Sequence, residues 1–273
     1  MSDWILLRNE SELATKAKTL RRKCRGHYYT NYFFFHSTRD IELRYTEMFY
    51  QEDGDNLYVI ERKDDFYQLF YFVGDVDAFR LDLPPSVESG VMTCELDEEE
   101  GKENQGPVLE RLHQEGFADY KNFHYYTYKY AGEKIRRLYP KEYDLNYQAS
   151  VEELSAMYDI FDPYADNLPP RRAFQAWLES MDILSCAVDG HYAGSIMRRK
   201  SGWGIGYVFA LDAFPGVGAC LTLEQRARNI EKHPDKTYAK TGLIEDNNLP
   251  SIRMNQRLGF KRGNQYHKVL RRK

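Results

Sequence analysis

The order of strand-like and helix-like segments in the second half of the chain is the feature that most restricts its fold. A strand over residues 143–147 precedes a helix that Ser150 caps, with Glu153 completing a capping box. After a second helix comes a hairpin signal at Asp189-Gly190. The later segments are a strand over 206–211, a helix over about 221–230, a strand over 236–241, a helix over 250–258 and two strands within 260–270. This mixture predicts an α/β (α+β) domain with a mixed, mostly antiparallel sheet flanked by helices.

The first half carries a related series of segments. We expect a helix capped by Ser11, followed by a hairpin of strands over 57–62 and 66–73. A strand over 91–96, an acidic loop over 97–106, a helix from Pro107 to Gly116 and an aromatic strand over 123–130 follow. The charged stretch 131–142 is the predicted junction. The sequence therefore predicts two domains, over residues 1–140 and 141–273.

Composition excludes several classes of protein. The chain of 273 residues has a net charge of −4, which divides into −7 for residues 1–142 and +3 for the rest. An acidic first half makes nucleic acid an unlikely partner there. No apolar run has the roughly 20 residues that span a bilayer, and the acidic start does not resemble a signal peptide. The four scattered cysteines and seven histidines show no metal-ligand spacing. We expect a cytoplasmic protein, monomeric or homodimeric, without metal or membrane.

The stretch from Gly206 to Leu221 has the chemistry of an anion site. A strand runs into a turn that contains Gly216 and Gly218, and the turn runs into the start of a helix. The first turn of a helix has unpaired N–H groups and the positive end of the helix dipole, and glycines allow a phosphate to approach the backbone. A bare Gly-x-Gly is more often a tight turn without a ligand. The motif therefore needs support from a second element.

That second element is the segment from Asn247 to Phe260. A strand ends in a polar loop, Pro250 begins an amphipathic helix, and Leu258-Gly259-Phe260 ends it. Together, Gly216-Val217-Gly218-Ala219 and this segment resemble the GNAT superfamily of N-acetyltransferases. The resemblance covers roughly residues 143–273, with the expected order of elements throughout.

The resemblance implies acetyl-CoA as co-substrate. It would lie in a wedge between two splayed strands, 208–210 and 238–241, with the diphosphate on the amides of residues 216–221 and the pantetheine near Asn248. A backbone N–H near Phe209 or Ala210 would polarise the thioester carbonyl. The residues expected to bind the cofactor are Val208, Phe209, Ala210, Gly216, Val217, Gly218, Ala219, Cys220, Leu221, Asn248 and Ser251.

The resemblance also implies direct attack by an amine of a small molecule or peptide, with catalysis mainly by positioning. Two positions differ from the family pattern. Ala213 stands where the family usually has Arg or Gln, and Asn255 stands where a tyrosine often protonates the leaving thiolate. Asparagine cannot act as a general acid. Glu245, beside Asp246, could accept a proton from an ammonium substrate, although such acids more often cap the next helix. Glu245 and Asn255 are the catalytic candidates.

The first half is interpreted as a degenerate copy of the same fold, so that two GNAT-like domains stand in tandem. Residues 99–102 are acidic where a glycine loop is expected, and they would repel a diphosphate. Three functions stay open on these grounds. They are an N-acetyltransferase, a tRNA-dependent aminoacyl transferase with paired domains, and a non-catalytic CoA-binding protein.

Overall fold

The computed structural model describes residues 4–25, 27–31, 46–102, 104–130, 135–137, 139–200, 205–232 and 238–273. These residues form two compact units that interleave along the chain. The first unit draws on Met1–Phe123, Pro163–Trp177 and Asn264–Lys273, and the second on His124–Asp162 and Leu178–Gly263. The domain boundary predicted between residues 140 and 141 separates two copies of a fold and not two compact units. It stays a prediction. Residues 131–134 and 138 of the expected junction lie outside the described residues.

The first unit is built around a sheet with helices on both faces. Along the sheet the strands follow the order β1-β3-β4-β5-β6-β13-β7, and β2 lies beside β5. The chain runs antiparallel from β1 through β3 and β4 to β5, and β2 and β5, like β6 and β13, are also antiparallel. Strands β5 and β6 are parallel. The elements are β1 (Ile5–Leu6), α1 (Glu10–Lys23), β2 (Tyr29–Thr30), β3 (Met48–Asp53), β4 (Asn56–Arg62), β5 (Tyr67–Val73), α2 (Pro85–Glu88), β6 (Met92–Glu99), α3 (Gly106–Gln114), the start of β7 (Ala118–Tyr130) and most of β13 (Lys261–Arg272).

The core of the first unit has two layers because strand residues alternate between the two faces. On one face, α1 buries Leu13, Ala17 and Leu20 against β3, β4 and β5. On the other face, Val108 and Leu112 of α3 pack against the same sheet. The helical spacing of these apolar residues thus decides which side of each helix packs against the sheet.

Three local predictions for the first unit and the tail are corrected by the structure. The cap of α1 is Asn9, whose side chain accepts the N–H of Glu12 at 3.2 Å, and not Ser11. The predicted acidic loop begins later, because β6 continues to Glu99 by pairing with β13. The tail contributes one long strand, β13, instead of two. Cross-strand pairing overrides the low strand propensity of the acidic residues.

The second unit contains a separate antiparallel sheet in the order β11-β10-β9-β8, while β12 lies beside β7. Its capping box at Ser150 is confirmed, and so is its hairpin, in which Asp189 and Gly190 have φ of 49° and 80°. The elements are β8 (Tyr143–Tyr147), α4 (Val151–Ser155), α5 (Met157–Ile160), β9 (Met181–Val188), β10 (His191–Arg199), β11 (Ile205–Ala210), α7 (Val217–Lys232), β12 (Tyr238–Glu245) and α8 (Leu249–Arg257). Helix α6 (Phe174–Glu179) precedes β9 and belongs to the first unit as far as Trp177.

Helix α7 begins at Val217, earlier than the predicted start near Leu221. Val217 and Leu221 are fully buried against Leu184, Cys186 and neighbouring residues of the β8–β11 sheet. The earlier start places Gly218, Ala219 and Cys220 in the first helical turn. Within the described chain, no helix is long and apolar enough to cross a membrane.

Candidate active site

Strands β11 and β12 lie side by side at the centre of the candidate site, but they belong to different sheets. The described part of β11 is hydrogen-bonded to β10, and β12 is the end strand beside β7. No ladder between β11 and β12 is present in the described residues. An edge strand presents unpaired backbone N–H and C=O groups. Strands β11 and β12 are therefore neighbours without a shared ladder, and their splay stays a prediction.

The register of β11 shows which of its backbone groups face away from β10. The N–H of Leu211 donates to the carbonyl of Ala193 at 2.9 Å, and Phe209 lies opposite Ser195. In an antiparallel pair, hydrogen-bonded residues alternate with outward-facing ones. The backbone groups of Phe209 thus point toward β10, and those of Ala210 point away from it. Of the two expected thioester donors, the geometry favours Ala210.

The turn after β11 ends at a glycine in the left-handed region. Gly216 is exposed and has a φ of +93°, a conformation that favours glycine. The first hydrogen bond along α7 runs from the N–H of Cys220 to the carbonyl of Gly216 at 3.1 Å. The amides of Gly218 and Ala219 precede it, and within the described chain no backbone carbonyl outside α7 accepts from them. These amides have the properties of an anion cradle.

The close neighbour of Gly218 is a flexible side chain. A Cβ atom at Gly218 would lie 3.5 Å from Sδ of Met254, which is an ordinary contact. Burial raises the pKa of the Cys220 thiol, so this side chain stays neutral near pH 7. Neither sterics nor charge from these two residues would oppose a diphosphate there.

Helix α8 carries the second group of predicted residues. The side chain of Asn248 caps the helix by accepting the N–H of Ser251 at 3.1 Å. The side-chain amide of Asn255 donates to the Ser251 carbonyl at 2.9 Å. The structure thus brings Asn248, Ser251 and Asn255 together, and Met254 of the same helix faces Gly218. The amide of Asn255 is occupied by the backbone and offers no acid.

The two acids at the end of β12 have different surroundings. The carbonyl of Glu245 accepts the N–H of Asn248 at 3.0 Å, which ties the strand end to α8. The carboxylate of Asp246 binds Nδ1 of His124, and Arg262 binds Nε2 of the same imidazole. Since arginine can only donate, the histidine accepts at Nε2 and donates its Nδ1–H to Asp246. Sequence reasoning missed His124 and Arg262, because this contact joins residues far apart in the chain.

A histidine and a tyrosine elsewhere in the second half of the chain have very different surroundings. His267, buried to 2% exposure in the first unit, lies 3.1 Å from Asp97 and 3.2 Å from Glu95. Tyr207 of β11 packs its ring 5.4 Å from the ring of Phe161. His267 is thus a core residue, whereas Tyr207 lines the face of β11 opposite α7. The described residues contain no group of three or more side chains suited to a metal ion.

Comparisons with known proteins identify the fold. No family model and no curated protein matches the chain. Among solved structures, a tandem GNAT protein from the clavulanic acid biosynthesis pathway matches with a TM-score of 0.60 and 10% identity, covering 99% of this chain and 98% of that one. A Drosophila protein matches with a TM-score of 0.58 and 14% identity over 99% and 98% of the chains. A GCN5-related N-acetyltransferase from Sphaerobacter thermophilus matches with a TM-score of 0.53 and 13% identity over 82% and 80%.

These matches confirm the predicted fold class. The chain has the fold of tandem GNAT proteins, with mixed, mostly antiparallel sheets flanked by helices. We call the part that contains β1–β6 and α1–α3 the first copy, and the part that contains β8–β12, α7 and α8 the second copy. At these identities the matches show the fold alone, and function has to be argued from the site.

Proposed function

We propose that the protein is an acyltransferase that transfers the acetyl group of acetyl-CoA to an amine of a small molecule or peptide. One observation carries the proposal: the separate edges of β11 and β12 lie next to the open amides that begin α7. A long, thin ligand with a diphosphate group matches a cleft of this kind. We expect the protein to act in the cytoplasm, where its cysteines would stay reduced.

Five of the predicted residues have a role in this proposal. The amides of Gly218 and Ala219 would hold the diphosphate, and Asn248 would contact the pantetheine arm. When bound, acetyl-CoA supplies the thioester carbonyl that an acceptor amine attacks. The outward N–H of Ala210 would stabilise the negative charge that develops on the carbonyl oxygen. Glu245 would take up a proton from the acceptor.

The remaining proton step is assigned to water. Asn255 cannot donate a proton to the departing thiolate, and its amide is bound to Ser251. In direct attack, most of the rate enhancement comes from holding the amine against the carbonyl carbon. The proposal therefore predicts a rate that depends weakly on residue 255.

A second candidate function is a CoA-binding protein without catalysis. The occupied amide of Asn255 and the alanine at position 213 favour it, because both family contacts are missing. A tRNA-dependent aminoacyl transferase is a third outcome that the same experiment distinguishes.

The test is calorimetry with acetyl-CoA and, separately, with bulk tRNA, combined with an assay for release of the CoA thiol in the presence of amines. Micromolar binding of acetyl-CoA with thiol release supports the proposal. Binding without thiol release indicates the non-catalytic protein, and salt-sensitive tRNA binding indicates the aminoacyl transferase.

A pair of variants at one position ties the result to the assigned cradle. Gly218→Glu places a carboxylate among the amides and should weaken acetyl-CoA binding by about 100-fold or more, while the melting temperature stays near that of wild type. Gly218→Ala is the matched control, because its Cβ fits at 3.5 Å from Met254. Unchanged affinity in Gly218→Glu would refute the assignment.

A further inference from the structure

The first copy also contains two neighbouring strands that are not paired along their full length. Strands β5 and β6 pair in parallel, but only where Tyr67–Leu69 lies beside Met92–Cys94. Strand β5 continues to Val73 and β6 to Glu99 without further pairing to each other. The two strands therefore separate, as the strands of the proposed acetyl-CoA cleft are predicted to do.

The gap between β5 and β6 is filled by the chain itself. Strand β2 pairs antiparallel with β5, with Tyr29 opposite Val73 and Thr30 opposite Phe72. The next residue, Asn31, is completely buried. Its side-chain amide donates to the carbonyl of Leu69 at 3.1 Å and to that of Glu95 at 2.8 Å, and it accepts the N–H of Tyr71 at 2.7 Å. One amide thus joins the two strands.

Further contacts hold this segment in place. The hydroxyl of Thr30 donates to the carbonyl of Tyr71 at 2.7 Å. The side-chain amide of Gln105 reaches the carbonyl of Thr30 at 3.4 Å, and its oxygen accepts the hydroxyl of Tyr71 at 3.1 Å. The backbone groups that a ligand's amides would bind along this part of β5 are therefore already paired.

The turn after β5 also differs from the turn after β11, because its backbone amides are paired within the chain. Oδ1 of Asp75 accepts the N–H of Asp77 at 3.0 Å and that of Ala78 at 3.2 Å. At Gly74, a Cβ atom would overlap Sγ of Cys24 and lie 2.8 Å from the carbonyl oxygen of Asp55. Where the second copy presents open amides, the first copy supplies its own carboxylate and a closed backbone. The topology also corrects the sequence analysis: the counterpart of the glycine turn follows β5, whereas residues 99–102 follow β6.

We propose that the segment Tyr29–Asn31, with Asp75, is a built-in occupant of the first-copy cleft, so that each chain has one acetyl-CoA site, in the second copy. The Asn31 amide supplies both the donors and the acceptor that a ligand's amide would bring, and Asp75 supplies the anion. The inference rests on the proposed function of the second copy. In this account the cleft of the first copy is closed, contributes to the shape and stability of the protein, and binds no second acetyl-CoA.

Native mass spectrometry of the full chain with acetyl-CoA tests the inference. We expect one acetyl-CoA per wild-type chain, none for Gly218→Glu and one for Gly218→Ala. Two per chain, or one retained by Gly218→Glu, would overturn the inference and leave acyl transfer standing. No binding to wild type would overturn the proposed function together with the inference.

Hydrogen exchange on the wild-type protein provides a second measurement that needs no variant. With saturating acetyl-CoA, peptides covering residues 205–221 should exchange more slowly. Peptides covering 67–78 and 92–99 should exchange at unchanged rates. Slower exchange in peptides 67–78 and 92–99, with unchanged exchange in peptides 205–221, would place acetyl-CoA in the first copy and contradict the inference.

Discussion

In the first copy, the gap between β5 and β6 is bridged by the buried amide of Asn31, whereas in the second copy no described ladder joins β11 to β12. The helices that follow these strand pairs differ as well. Helix α3 buries Val108 and Leu112 completely, while none of the residues of α8, all of which the structure describes, is buried. The first copy thus fills the gap between its strands and buries its helix deeply, whereas α8 of the second copy is only partly buried.

This difference shows how few residues decide whether a shared fold can bind a ligand. Asn31 and Asp75 satisfy backbone groups that would otherwise need an outside partner. A buried backbone group without a partner costs free energy, so an unfilled cleft has to be paired by water or by ligand.

The substitution Asn31→Asp should have the largest effect. The variant keeps the shape of the side chain but loses the donors to Leu69 and Glu95 and places a carboxylate against two carbonyl oxygens. We expect the free energy of unfolding, measured by urea denaturation, to fall by about 3 kcal/mol or more. Asn247→Asp, at an exposed position, is the matched control. Equal stability of the two variants would mean that Asn31 does not hold the cleft closed.

The pH dependence of stability should reflect the buried His267 of the first unit. Burial, the largest single influence, lowers the pKa of His267, but hydrogen bonds and charges from Asp97 and Glu95 together raise it from 6.5 to about 9. Because the folded pKa is the higher one, the stabilisation is complete below pH 6.5 and is lost as pH rises through about 9. It amounts to about 3 kcal/mol by the usual conversion.

Urea denaturation between pH 6 and 10 measures this effect. In His267→Gln the loss of stability over this range should be smaller than in wild type, whereas the exposed His191→Gln should follow wild type. Parallel profiles for all three proteins would show that His267 is not charged in the folded state.

The two asparagine caps allow a direct comparison of the copies. Asn9 and Asn248 both cap a helix through their side chains. Replacing either by alanine should lower the free energy of unfolding by about 1 kcal/mol. Only Asn248→Ala should also weaken acetyl-CoA binding, by about tenfold in calorimetry, since it removes a proposed ligand contact. Similar affinities for the two variants would remove Asn248 from the site.

The smallest effect is expected from Ala213→Arg. The exposed alanine stands before the amide cradle, where a guanidinium could pair with the diphosphate. We expect acetyl-CoA binding to tighten by about threefold to tenfold, with the gain reduced at high salt. Val151→Arg adds the same charge at another exposed position and should have no effect. A gain in both variants would indicate only a change in overall charge.

Much of the second copy could be predicted from the sequence because its signals are local. The capping box at Ser150 and the hairpin at Asp189-Gly190 each lie within a few residues and have definite stereochemistry. The turn at Gly216 and the end of α8 are also local motifs, and they carry the resemblance to the GNAT superfamily. The predicted start of α7 is too late, because nothing local marks Val217 as helical. Strand β12 also continues to Glu245, past the predicted end at residue 241, and residues 236–237 of that prediction lie outside the described residues.

The closed cleft of the first copy could not be predicted, because its contacts are distant in sequence. Asn31 reaches Leu69, Tyr71 and Glu95, which are 38, 40 and 64 residues away. An asparagine between short polar stretches is an ordinary loop residue until the sheet is known. The parallel pairing of β5 with β6 likewise leaves no local signal. The sequence alone therefore points to residues 99–102, and not to the turn after β5, as the counterpart of the glycine turn.

A crystal structure of the wild-type protein with CoA would test the central contrast most directly. The account predicts one CoA per chain, with its diphosphate on the amides of Gly218 and Ala219 and its pantetheine arm between β11 and β12, while Asn31 still bridges Leu69 and Glu95. A CoA molecule between β5 and β6, with the segment Tyr29–Asn31 displaced, would contradict it.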